Sequence, residues 1–395
     1  MMVGMSDGHV VPGYESVRDA FDAAQESDDG AAQLAVYRDG RLVVDLWTGH
    51  DPVGHTHVTA DSITLLMSVT KGVVATCVHI LRERGQLDVD APVTRYWPEF
   101  GDGVTVADLL AHRSGRSDFD PDDGIGMAEL LDWDRCVTAL AAMDPLWTPG
   151  SAFKYHSLTW GYLVGEVIRR VTGATVGQFF ADEVARPLGL DLWIGLPGSA
   201  DHRYLPEFAH YRALDGNQLR KQWSGFGIDL SDRLVRAALG SLATGSDTVE
   251  GLQTRMGRRA EVPSANAIGN ARSLAKMYAA TIGTIDGVRL LKPDTIEAAC
   301  RSQVETLGPP APLHLLPQGE QMNVGLGYEL PRTGCPMIGP NSFGHAGAGG
   351  RLGYADPEEG IAVGYMCTNL AWDVPKGPDD RWVPWTAALN EIIRS

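Results

Sequence analysis

Residues 31–49 read AAQLAVYRDGRLVVDLWTG. Two runs rich in β-forming residues flank Asp39-Gly40, and Asp-Gly between such runs is a strong two-residue hairpin signal. The stretch predicts an antiparallel hairpin. Upstream, residues 14–27 place Val17, Phe21 and Ala24 on one face, the spacing of an amphipathic helix. Downstream, residues 66–84 (LMSVTKGVVATCVHILRER) carry Val73, Val74, Cys77, Ile80 and Leu81 at helical spacing, and Gly85 stands where a helix closes.

The middle of the chain, about 105–245, reads mostly as helices and loops, with the clearer helices at 128–142, 158–171 and 176–185. Residues 196–226 read as an irregular surface region. Asn270 is a capping residue type ahead of another helix. Residues 303–320, with Pro309-Pro310, predict a loop. Strand patterns then return at 324–330, 342–348, 351–357 and 361–369, and a helix is expected at 385–395. Strands at both ends predict one antiparallel sheet with helical cover, an α+β fold. The expected division is an α/β region of residues 1–104 and 260–395 and a mainly helical insertion of residues 105–259.

The chain has 395 residues, enough to bury a large core without disulfide or metal staples. It is 44% apolar and 21% charged, which excludes a wholly disordered chain, a collagen or a coiled coil. Its net charge of −17 repels phosphate backbones and anionic headgroups, so neither nucleic acid nor a membrane surface is an expected partner. The charge leaves the oligomeric state open. Cys77, Cys136, Cys300, Cys335 and Cys367 are scattered, without C-x-x-C, and read as free thiols. The N-terminal residues lack the pattern of a secretory signal, and no apolar run reaches the ~18 residues of a membrane span. The expectation is a soluble, cytoplasmic protein.

The sharpest chemical signal is Ser68-Val69-Thr70-Lys71. Residues three apart share a helix face. A helix starting near Ser68 brings its hydroxyl and the Lys71 ammonium together at the first turn, beside unpaired N–H groups. A serine needs a nearby base to become a nucleophile, and a buried lysine deprotonates readily. Alone, S-x-x-K is weak evidence. Three further segments follow in order: residues 105–115, with His112, Ser114 and Gly115; Trp147-Thr-Pro149-Gly150 leading into Tyr155-His156-Ser157; and Gly344-His345-Ala346-Gly347.

Together these motifs resemble the serine β-lactamase and penicillin-binding-protein superfamily, built on S-x-x-K, Y-x-N or Y-x-S, and K-T-G or H-x-G. The likeness is greatest to class C β-lactamase-like esterases, the family VIII carboxylesterases, and runs from about residue 14 to the C-terminus. It implies an antiparallel sheet flanked by helices, a second mostly helical region, and an active site in the cleft between them. It implies Ser68 as acyl nucleophile, Lys71 as its base or relay, and Tyr155 as the phenol or phenolate that takes the Ser68 proton. A neighbouring ammonium is expected to lower the Tyr155 pKa, the two groups titrating together. The backbone N–H groups of Ser68 and Ala348 would form the oxyanion hole, with Ser157, His345 and Gly347 binding substrate. Ser157 could also cap the following helix, and His112 reads as a structural hydrogen-bonder.

Two departures bear on substrate. Ser157 stands where antibiotic-hydrolysing members have Asn, and His345 where they have Lys. A largely neutral histidine serves a β-lactam carboxylate less well than a lysine. The expected partner is a small-molecule ester, handled by a serine carboxylesterase. Its rivals are an acyltransferase or amide synthase, a β-lactamase or D-aminopeptidase, and a silent binding protein on the same scaffold. No G-x-S-x-G, P-loop or dinucleotide fingerprint occurs, and no cofactor is expected. His55-Thr-His57 with Asp61 only mimics a metal-ligand run, and no metal is expected. Trp147, Trp160, Trp193, Trp223 and Trp372 are candidates for an acyl pocket.

Overall fold

A computed structural model describes residues 6–51, 56–208, 216–243, 245–372 and 377–395. Asp39 (φ 48°) and Gly40 (φ 78°) both lie in the left-handed region, as a two-residue hairpin turn requires. They join β2 (Ala32–Arg38) to β3 (Arg41–Thr48). β1 (Asp7–Val10) flanks β3, and β2 pairs with the late strand β11 (Ile361–Cys367), Ala32 opposite Cys367. Beyond β11 follow β10 (Arg351–Asp356), β9 (Phe343–Gly347), β8 (Glu329–Leu330) and β7 (Asn323–Val324), every pair antiparallel. The two ends of the chain thus share one eight-stranded sheet.

Successive side chains on a strand face opposite ways, and both faces of this sheet are covered. Leu34 and Val36 pack against helix α1 (Glu15–Gln25) and the C-terminal helix Val383–Arg394, through Phe21, Trp385 and Leu389. Ala35 and Tyr37 face the other core, with the Ala271–Ile282 helix and α2 (Val69–Glu83). Every residue of α2 from Val69 to Leu81 is buried, the mark of a central helix. Asn270 caps the Ala271–Ile282 helix by accepting from Ser273 N. All five cysteines are unpaired.

Several expected elements come out differently. The stretch 128–142 is two helices, Met127–Leu130 and Trp133–Ala142, because extended Asp132 between them accepts from Arg135 N and starts a new helix. The helix expected over 176–185 is α-helical only over Val176–Phe180 and continues as a π-helix over Ala181–Ala185. The stretch 324–330 is not one strand, since Gly327 (φ 91°) turns the chain between β7 and β8. The surface stretch 196–226 contains a helix, Gly216–Gly225, which buries Trp223 against Ile228 and Leu234. A second antiparallel sheet, unexpected from sequence, joins β4 (Thr64–Leu65), β6 (Ala267–Gly269) and β5 (Leu192–Ile194). Among the described residues no helix is long and apolar enough to cross a membrane.

Candidate active site

Ser68 follows a sharp strand-to-helix turn. Met67 sits at φ 50°, a region non-glycine residues rarely enter, and swings the chain from β4 into α2. The Met67 carbonyl accepts from Thr70 N (2.9 Å) and Thr70 Oγ1 (2.6 Å). In a trans peptide the N–H points opposite to the carbonyl, so the Ser68 N–H faces away from the helix. One turn on, Lys71 is fully buried. Its Nζ donates to the carbonyls of Ser157 (2.8 Å) and Ser264 (3.1 Å) and lies 4.7 Å from the centre of the Tyr155 ring.

Burial sets the charge states. It pushes the Lys71 amine well below the ordinary lysine range, against the opposing pull of the Glu329 carboxylate. It pushes the Tyr155 phenol up, and the polar approach of the Ser68 hydroxyl only partly offsets this. The expected lowering of Tyr155 by an ammonium is therefore reversed: desolvation dominates and disfavours the charged form of both groups. The two carbonyls take two N–H groups of Lys71, so in its neutral form the amine has an uncommitted lone pair.

β9 brings up the other wall. His345, buried, has Nδ1 2.6 Å from the Ala346 carbonyl and 3.6 Å from Glu329 Oε2. A carbonyl only accepts, so Nδ1 carries the hydrogen and Nε2 is a bare acceptor, buried and, among the described residues, without a partner. Burial, and positive charge on Lys71 whenever it is protonated, lower the imidazole pKa to about 3. A Cβ on Gly347 would come 2.5 Å from the Leu66 carbonyl, so β9 presses on the approach to Ser68. The Gly347 carbonyl accepts from Gly350 N (3.0 Å), which turns the N–H of the same peptide, that of exposed Ala348, the other way. Among the described residues neither the Ser68 nor the Ala348 N–H meets an acceptor.

A profile of the beta-lactamase family matches residues 17–383. This chain belongs to that family. It is 34% identical to the esterase/beta-lactamase LipL of Mycobacterium tuberculosis over 354 residues, which cover 86% of this chain and 77% of LipL. A family VIII carboxylesterase crystal structure superposes with a TM-score of 0.81 at 32% identity, covering 98% of this chain and 99% of that one. EstA from Arthrobacter nitroguajacolicus Rue61a gives 0.82 at 29% identity, covering 98% of each.

Against the motifs of the beta-lactamase family, Ser68, Lys71, Tyr155 and His345 gather in one place, with the Tyr155 and His345 rings 6.1 Å apart. Ser157 contributes its carbonyl; the cap position of the Thr159–Thr172 helix falls on Leu158, with no side-chain cap, so the capping expectation fails. His112 (φ 59°) accepts from His156 N at 3.0 Å and lies 4.8 Å from the Tyr155 ring. Behind it, His156 donates from Nδ1 to the Lys154 carbonyl (2.6 Å) and accepts from Ser114 (2.8 Å). Trp160 is core, bonded to the Leu110 carbonyl. Trp147 and Trp223 share an apolar cluster, Trp193 lies by Arg203, and Trp372 packs on Trp382. Tyr155 instead packs against the apolar cluster of Phe153, Val304 and Val324. Sequence reasoning missed Ser264 and Glu329, which carry no motif; Glu329 accepts from Ala346 N (2.8 Å) and Arg332 Nε (3.1 Å). His55 lies outside the described residues, and among those described no three potential metal ligands gather.

Proposed function

We propose that this chain is a serine carboxylesterase that hydrolyses small or short-acyl esters through an acyl-enzyme on Ser68. The observation that carries the reading is the fully buried Lys71, both N–H groups held by carbonyls, one turn from Ser68 and beside Tyr155. In acylation Tyr155 takes the Ser68 proton as it passes its own to the Lys71 lone pair. Oγ bonds to the ester carbon, and the carbonyl oxygen becomes an oxyanion between the Ser68 and Ala348 N–H groups. Collapse breaks the C–O bond, and the proton returns by Tyr155 to the leaving alkoxide. Water then repeats the sequence on the acyl-enzyme and releases the acid.

Ser157, from the helical stretch 105–259, and Ser264, from beyond it, both reach Lys71, which supports a substrate cleft between these two parts. His345, neutral with a bare Nε2, offers no cation to a carboxylate and favours neutral esters. The name of LipL supports β-lactam hydrolysis as a second reading. The test is turnover of p-nitrophenyl butyrate and of nitrocefin by wild type and Ser68→Ala, with mass-spectrometric mapping of a fluorophosphonate adduct. The ester is expected to be hydrolysed with a burst, and the adduct to sit on Ser68. Full turnover by Ser68→Ala overturns the reading.

A further inference from the structure

The oxyanion site proposed above is made of two backbone N–H groups that lie 280 residues apart in sequence, and one buried side chain touches both segments. Arg351, the first residue of β10, has no solvent exposure. Its Nε donates to the Leu65 carbonyl (3.1 Å), in the run leading to Ser68. One terminal nitrogen donates to the Ala348 carbonyl (3.1 Å), in the turn leaving β9. The other is ion-paired with Glu207 Oε1 at 3.1 Å, itself fully buried at its side chain. Glu207 extends the hold: Oε1 accepts from Leu65 N (2.7 Å) and Thr64 Oγ1 (2.6 Å), and Oε2 from Tyr204 Oη (2.6 Å).

The rest of the turn is pinned separately. Arg381 donates to the Gly349 carbonyl (2.6 Å) and Trp382 Nε1 to the Gly350 carbonyl (2.8 Å). Ala348 is thus the one carbonyl of the turn tied to the Ser68 side of the site. A planar guanidinium has donors in a fixed fork, so it sets the distance between two peptides in a way that a single ammonium cannot. We propose that Arg351, oriented by Glu207, is the positioning residue of the oxyanion site, fixing the spacing of the Ser68 and Ala348 N–H groups.

The inference rests on the Ser68 acyl-enzyme reading, and the test separates the two. Wild type, Ser68→Ala, Arg351→Lys and the double variant Arg351→Met/Glu207→Gln are compared with p-nitrophenyl butyrate, kcat being taken per active site counted from the burst. The double variant removes both charges together, which spares the fold an unpaired buried ion. Inhibition by phenylboronic acid, which forms a tetrahedral adduct, reports on the oxyanion site directly. The expected result for both Arg351 variants is a fall in kcat of about 10- to 100-fold, KM within about threefold, and a parallel loss of boronate affinity. Glu166→Gln, which disturbs a buried carboxylate held by Trp133, Arg169 and Arg170, is expected to lower the melting temperature with kcat per site unchanged. Folded Arg351 variants with wild-type kcat and boronate affinity overturn the positioning role. Turnover by Ser68→Ala overturns the parent reading instead.

Discussion

Lys71 Nζ lies 4.7 Å from the centre of the Tyr155 ring, and among the described residues its hydrogen bonds go to two backbone carbonyls rather than to a carboxylate. Glu329, the nearest acidic influence, acts at longer range and is spoken for by Ala346 N and Arg332. In the proposed mechanism, a desolvated amine beside this phenol serves as proton acceptor next to a proton relay. Replacing Tyr155 by Phe keeps the packing and removes the relay. Tyr155→Phe is expected to lower kcat for p-nitrophenyl butyrate by about 10²- to 10⁴-fold, the usual range for a lost acid–base group. Steady-state kinetics on folded protein check this; a drop of less than threefold contradicts the role.

The depressed Lys71 pKa has a stability consequence of fixed sign. Below the ordinary lysine value of ~10.4 the unfolded chain binds a proton that the native site resists, so stability rises with pH across the window from the lowered native pKa up to ~10.4. Lys71→Met removes that coupling. Urea denaturation at pH 7 and pH 9.5 is expected to show a smaller pH increment in Lys71→Met than in wild type, and no esterase activity at either pH. An equal increment in both proteins counts against a neutral Lys71.

Four buried histidines point in the same direction at lower pH. His345 and His156 are held to about 3 and His79 to about 4, each chiefly by burial, and His112 is also well below its usual value. Unfolded histidines protonate below ~6.5, so the native state loses stability as pH falls through that value toward 4. His156→Gln removes one of the four. The urea midpoint is expected to fall less between pH 7.5 and 5.5 in this variant than in wild type.

Gly347 packs closely against the segment before Ser68. A methyl group there meets the Leu66 carbonyl at 2.5 Å, and a backbone atom cannot step aside as a side-chain tip could. Gly347→Ala is expected to cost about 1–3 kcal/mol of stability by overpacking and at least about 10²-fold in kcat by displacing the Ala348 N–H. Calorimetry and kinetics on the same sample check both; wild-type kcat in a folded variant rules out the displacement.

The hairpin at Asp39-Gly40 and the α2 pattern through Val73, Cys77 and Leu81 were legible because turn chemistry and helical period are local. Ser68, Lys71, Tyr155 and His345 were legible as short motifs in a fixed order. The helix at Gly216–Gly225 escaped notice, although Leu219 and Trp223 stand four apart and join one apolar cluster. The three-stranded sheet could not be read, because two- and three-residue strands carry almost no pattern.

The amino-acid sequence by itself singled out the side chains that the fold gathers around Lys71 and indicated that the two ends of the chain share a sheet, since motifs, periodicity and turn residues act over neighbouring positions. Only the tertiary structure decided their charge states. Burial, a property of everything packed around a group, raises the Tyr155 phenol where a lowering was expected and weakens the hold of Lys71 on its proton. It also decided the supporting residues: Ser264, Glu207 and Arg351 have no motif of their own, and matter because folding sets their polar atoms against backbone far away in sequence.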